Sequence, residues 1–137
     1  MLMMLLTMIA AEAATVRASS THKDGDGTYT ALRAFDGSFK SGWAEAKPGS
    51  TAGEWLEIDL GRTTQIDNLA IWPGNLKKGS RSFREYSRPR TIEIYIDGKK
   101  HGNSVILEDK VHRSLVDINA RGRKIRVTIQ DAYEGIV

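Results

Sequence analysis

Glu57 and Asp59 alternate within one short stretch, EWLEIDL (54–60), and are the first residues to weigh for bond-breaking chemistry. On an extended strand two such carboxylates share a face roughly 6.5–7 Å apart, a separation compatible with an inverting glycosidase. Any strand with alternating acids gives that spacing, and hydrolysis also needs a pocket that raises one of the two pKa values. Nucleophile chemistry has less support: there is no cysteine, and His22, His101 and His112 sit in polar, loop-like contexts that fit no triad motif. The stretch DGDG (24–27) fails as an EF-hand, because the twelfth position from Asp24 is Phe35 where a carboxylate is required. The expectation is a protein that binds and does not catalyse.

Binding chemistry is better supplied. A sugar has a flat apolar face ringed by hydroxyls, so its binders pair an aromatic platform with short polar or charged groups. Trp43 and Glu45 in WAEAKPGS (43–50) offer that pair, although Trp43 could instead plug the core. Trp55 either packs against a second sheet or is exposed. Trp72 precedes Pro73-Gly74 at the edge of a loop, where either role fits. Further along, Asn75, Lys77, Tyr86 and Arg88 add donors and a ring. The planar fork of Arg88 could hold two neighbouring oxygens of a ligand or tie down loop carbonyls ahead of Pro89.

These residues must be held by β-strands. Leu56, Ile58 and Leu60 alternate in EWLEIDL, Ile92, Ile94 and Ile96 in TIEIYID (91–97), and Ile125, Val127 and Ile129 in KIRVTIQ (124–130). Weaker strand candidates are TVRAS (15–19), NLAIW (68–72), SVILED (104–109) and RSLVDI (113–118). Ile66 is out of step with Leu69 and Ile71, which predicts a bulge or a late strand start. A short helical turn is expected around YTALRAFDG (29–37), and long helical periodicity is missing. The two longest connections run from Gly37 to Gly53 and from Pro73 to Arg90, and loops of that length are usually functional or disordered. The pattern predicts an antiparallel sandwich or jelly roll.

The 137 residues are of single-domain size, and with no cysteine the core must hold the fold without disulfides. MLMMLLTMIA followed by Ala11-Glu12-Ala13 reads as a signal peptide over residues 1–13, leaving residues 14–137 as one exported domain, secreted or retained in the periplasm or cell envelope. A formal charge of +3 is too mild to call for nucleic acid. Basic residues cluster in KKGSRSFREYSRPR (77–90) and ARGRKIR (120–126), and the first cluster supports a rival reading: peripheral binding to a membrane surface or an acidic polyanion.

Taken in order, ALRAFDG, the Trp43-Ala44-Glu45 step, GEWLEIDLG, IDNLAIWPGN and YSRPRTIEIYIDGK resemble the glycan-binding module of the NAD glycohydrolase toxins, the part that assists translocation, over roughly residues 29–135. That family belongs to the discoidin-like, galactose-binding-like jelly rolls. The resemblance implies an all-β, discoidin-like jelly-roll β-sandwich that binds glycans or glycoconjugates without catalysis. It implies no cofactor beyond a structural calcium ion, for which Asp36 is the candidate ligand. The chain departs from the family in PGSTAGEW, in Pro73-Gly74-Asn75-Leu76-Lys77, and in stopping at Ile136-Val137, so the last strand of the sandwich is expected to be lacking.

Overall fold

Alternating apolar residues become strands because the pleat sends successive side chains to opposite faces, and burying one face fixes the register. The computed structural model describes residues 3–7, 15–21, 23–24, 27–28, 43–44, 52–74 and 79–136. In chain order these carry β1 (Met3–Thr7), β2 (Thr15–Ala18), β3 (Lys23–Asp24), β4 (Gly27–Thr28), β5 (Trp43–Ala44), β6 (Trp55–Pro73), α1 (Ser80–Glu85), β7 (Arg88–Ile96), β8 (Lys99–Lys100), β9 (Val105–Ile106) and β10 (Ser114–Tyr133). The helical turn expected at 29–37 lies outside the described residues.

All pairing is antiparallel, and β3 and β4 form a hairpin of their own. The other eight strands make one continuous sheet in the order β5-β1-β6-β10-β7-β8, with β2 added on β6 and β9 on β7. Continuity comes from β6 and β10, which stay paired along both layers of a jelly-roll sandwich. Trp55–Asp59 of β6 pairs with Lys124–Thr128 of β10 in the layer that also holds β2 and β7. Residues 64–71 pair with 114–122 in the layer that holds β1 and β5.

The passage between layers needs a corner. Between Asp59↔Lys124 and Thr64↔Gly122 the register slips, because β6 spends more residues on the bend than β10 does. Gly61 takes φ 79° there, a conformation that costs glycine no steric penalty. Asp59 pins the bend by accepting the Gly61 amide at 2.8 Å and the Arg123 Nε at 2.9 Å. A second slip falls between Asp117 and Ala120, with Asn119 at φ 52°. The irregularity signalled by Ile66 is therefore real, and the extra residue sits on the partner strand.

The core is a single cluster that includes Leu56, Ile58, Leu60, Ile92, Ile94, Ile125, Val127 and Ile129 from one layer and Ile66, Leu69, Ile71, Val116 and Ile118 from the other. Every alternating residue predicted to point inward in the three strong segments is buried. Segments that looked separate have merged: NLAIW and EWLEIDL both lie in β6, and RSLVDI and KIRVTIQ both in β10. SVILED contributes only the two residues of β9 and the buried Leu107. The apolar stretch read as a leader carries β1, which pairs with β6 and β5. Among the described residues no helix is long and apolar enough to cross a membrane.

Candidate functional site

Trp43 from the first long crossing and Pro73 at the start of the second fall at the same end of one layer. Met4 in β1 is the register partner of Trp43 on one side and of Pro73 on the other. With neighbouring strands about 4.8 Å apart, the backbone at Trp43 stands about 10 Å from that at Pro73. Trp72, opposite Leu5, is half-buried and alternates with the buried Ile71 and Pro73. Glu45, Asn75 and Lys77, like Asp36, lie outside the described residues. Among the described residues no three His, Asp or Glu side chains are grouped to hold a metal ion.

Beyond Pro73 the second crossing folds back on Arg88. Helix α1 seats Phe83 in the interior, and the Arg88 guanidinium lies 5.0 Å from its ring centre. Arg88 Nε and Nη2 donate to the two carboxylate oxygens of Asp109 at 2.8 and 2.9 Å. Its Nη1 donates to the carbonyls of Phe83, Arg84 and Tyr86 at 3.1–3.4 Å. Only 7% of Arg88 is exposed, so its fork ties the loop together, and a ligand would reach it only by displacing Asp109. Tyr86 is half-buried beside it. Two further cations of this basic stretch have acid partners, Arg81 with Glu85 at 3.1 Å and Arg90 with Asp131 at 3.8 Å.

A second concentration of polar and aromatic groups covers the outer face of the β2-β6-β10-β7 layer. Arg17, Glu57, Arg126 and Tyr95 are register partners in succession across those four strands. Glu57 accepts Arg17 Nη2 at 2.5 Å and Arg126 Nε at 2.9 Å, so one carboxylate serves two guanidiniums. Burial alone would raise the Glu57 pKa, but the hydrogen bonds from Arg17 and Arg126 outweigh it and hold the carboxyl below its ordinary value. The Arg123 side chain, then the Gly61 amide, likewise depress Asp59. The amides of Lys124 and Arg123 depress Asp97. Tyr95 donates to Glu93 at 2.5 Å, and that bond raises its phenol pKa. Trp55 is partly exposed on this face, with the Arg126 guanidinium 3.8 Å from its ring centre.

No curated protein matches the chain. The family model described as the NAD glycohydrolase translocation F5/8 type C domain matches residues 9–137. The chain belongs to that family. Among solved structures, this translocation domain is similar to the family 32 carbohydrate-binding module of Clostridium perfringens NanJ in complex with galactose. The TM-score is 0.70 at 17% identity, over 96% of this chain and 92% of that one. A second family 32 module from Clostridium perfringens, in complex with GalNAc-β-1,3-galactose, gives 0.69 at 17% identity over 90% and 86%. A chitosan-binding module from a Paenibacillus chitosanase/glucanase gives 0.60 at 19% identity over 89% and 85%. These likenesses establish the discoidin-like sandwich.

In this translocation domain the paired carboxylates of β6 have the wrong protonation for hydrolysis. Glu57 and Asp59 are both held ionised by arginines, and neither is the raised-pKa acid that glycoside cleavage requires. His101 is engaged with the backbone, its Nε2 2.7 Å from the Ile118 carbonyl oxygen. The outward cluster around Trp55 was the feature that sequence reasoning missed. Its signal was present in the alternation, which sends Trp55, Glu57 and Asp59 to one side of β6 as surely as it buries Leu56, Ile58 and Leu60.

Proposed function

We propose that this domain is a non-catalytic glycan-binding module. Its site lies at the rim where the two crossings pass, with Trp43 and Trp72 as aromatic platforms and Glu45, Asn75, Lys77 and Tyr86 as hydroxyl-directed contacts. The observation that carries the reading is the shared register partner Met4, which brings the backbone of Trp43 within about 10 Å of the start of the second crossing. Aromatic rings and hydrogen-bonding side chains at that end are the combination a saccharide needs. Galactose in the NanJ module and GalNAc-β-1,3-galactose in the second clostridial module, both on this fold, support the ligand class.

Polyanion capture by the 77–90 stretch is the weaker reading, because Arg81, Arg88 and Arg90 already face carboxylates. A glycan array probed at low and physiological salt tests both. A neutral-sugar signal that changes little with salt and is lost in Trp43→Ala and Trp72→Ala, with far-UV circular dichroism intact, supports the rim site. Binding that collapses with salt and survives both substitutions overturns it.

A further inference from the structure

We infer that the outer face of the β2-β6-β10-β7 layer is a second ligand site, separate from the rim, for an oligosaccharide bearing carboxylates. The face is a concavity of about 710 Å³, within the range of small-molecule sites. Its register row does not stop at Tyr95: Lys100 of β8 is the next partner, so Arg17, Glu57, Arg126, Tyr95 and Lys100 line up across five strands. Four strand spacings make that row about 19 Å long, which suits a chain of sugars better than a single ring.

Charge decides the ligand class. Arg17, Arg123, Lys124 and Arg126 line the concavity with Glu57 and Asp97, and Asp59 beside it pairs with Arg123 at 2.9 Å. Asp97 is committed to the fold, because one of its oxygens accepts the amides of Arg123 and Lys124 at 3.0 and 2.9 Å. Glu57 is divided between two arginines. The Lys124 side chain is exposed and makes no ion-pair contact among the described residues. A sheet face built only for stability would match its charges across strands, whereas here Arg17, Arg123 and Arg126 have carboxylate partners and Lys124 is left over.

Aromatic geometry points to a saccharide as the carrier of the anion. Arg126 lies over Trp55 at 3.8 Å from the ring centre, and with its Nε given to Glu57 its terminal N–H groups are left for a ligand carboxylate. The exposed part of the indole and the hydroxyl of Thr128, its register partner, border the same hollow. An apolar ring, an adjacent hydroxyl and a planar cation are the complement of a sugar acid. Densely charged phosphate would call for converging backbone amides, and here the Arg123 and Lys124 amides are already taken by Asp97.

The full chain titrated by calorimetry with a galacturonate oligosaccharide, with a sialylated trisaccharide and with neutral lactose tests the inference. Both acidic ligands, or the one whose acid fits, are expected to bind, and Lys124→Glu and Trp55→Ala each to weaken that binding about tenfold or more. Trp43→Ala should leave acidic-ligand binding unchanged, and Lys124→Glu should leave lactose binding unchanged. Should Trp55→Ala fail to fold, Lys124→Glu carries the result. Loss of acidic-ligand binding in Trp43→Ala but not in Lys124→Glu would assign the acid to the rim and overturn the second site while leaving the rim proposal standing. Absence of acidic binding, or equal competition by citrate, would also overturn it. Lactose that fails to bind while the acids depend on Lys124 would sink the rim proposal alone.

Discussion

Arg88 illustrates how much a single side chain can hold at the residue scale. Its guanidinium satisfies one carboxylate and three loop carbonyls, so removing it strands several buried acceptors at once. Arg88→Met is expected to cost about 2–3 kcal/mol in urea unfolding, and Arg88→Lys to recover little, because an ammonium cannot reproduce the bidentate fork. Sequence left two roles open for Arg88. The deciding partner, Asp109, sits in a stretch with no motif and is carried there by the buried Leu107 two residues earlier. Acid sensitivity is also set by single residues. Glu57, Asp59 and Asp97 are all held below their ordinary values, so the unfolded chain takes up protons more readily than the folded one. Each contributes stability that is present above the ordinary value, 4.5 for Glu57 and 3.8 for the aspartates, and lost as pH falls through the lower folded value. Urea midpoints should therefore drop as the pH is lowered from about 5 to about 3, and Glu57→Gln should flatten the upper part of that decline.

Elements were legible in proportion to their periodicity. Leu56, Ile58 and Leu60 announce a strand because three consecutive inward positions are apolar and Glu57 and Asp59 between them are charged. Helix α1 announced nothing: SRSFRE buries one large apolar residue, Phe83, and the residue before the helix, Gly79, offers no capping side chain. The corner between layers was equally silent, since ARGRKIR reads as a basic run. Its glycine is essential for a local reason. A Cβ on Gly122 would fall 2.2 Å from Ile96 Cγ2, far inside contact distance. Gly122→Ala is thus expected to destabilise by about 1–3 kcal/mol, seen as a lowered midpoint with an unchanged m-value, even though it adds only a methyl group. The Trp55 face escaped notice because charges on an alternating strand are the ordinary solvent side. Cross-strand neighbours, which alternation within one strand cannot reveal, turn them into a cluster.

For the molecule as a whole, the continuous β6–β10 ladder ties the two layers into one cooperative unit. Trp55 reports on one layer and Trp72 on the other. Single-tryptophan variants retaining either ring should therefore show the same urea midpoint by fluorescence, coincident with far-UV circular dichroism; separated transitions would mean that the layers melt independently. The same ladder governs when the native state can first exist. Residues of β6 find some partners in β1 and β2, which precede it, but most of them in β10, far later in the chain, so one long flank of β6 stays unpaired until β10 is in place. Contacts this distant in sequence form slowly. During that wait the open flank of β6 is a template for any other extended segment, so the order in which strands pair sets how long the domain is exposed to aggregation.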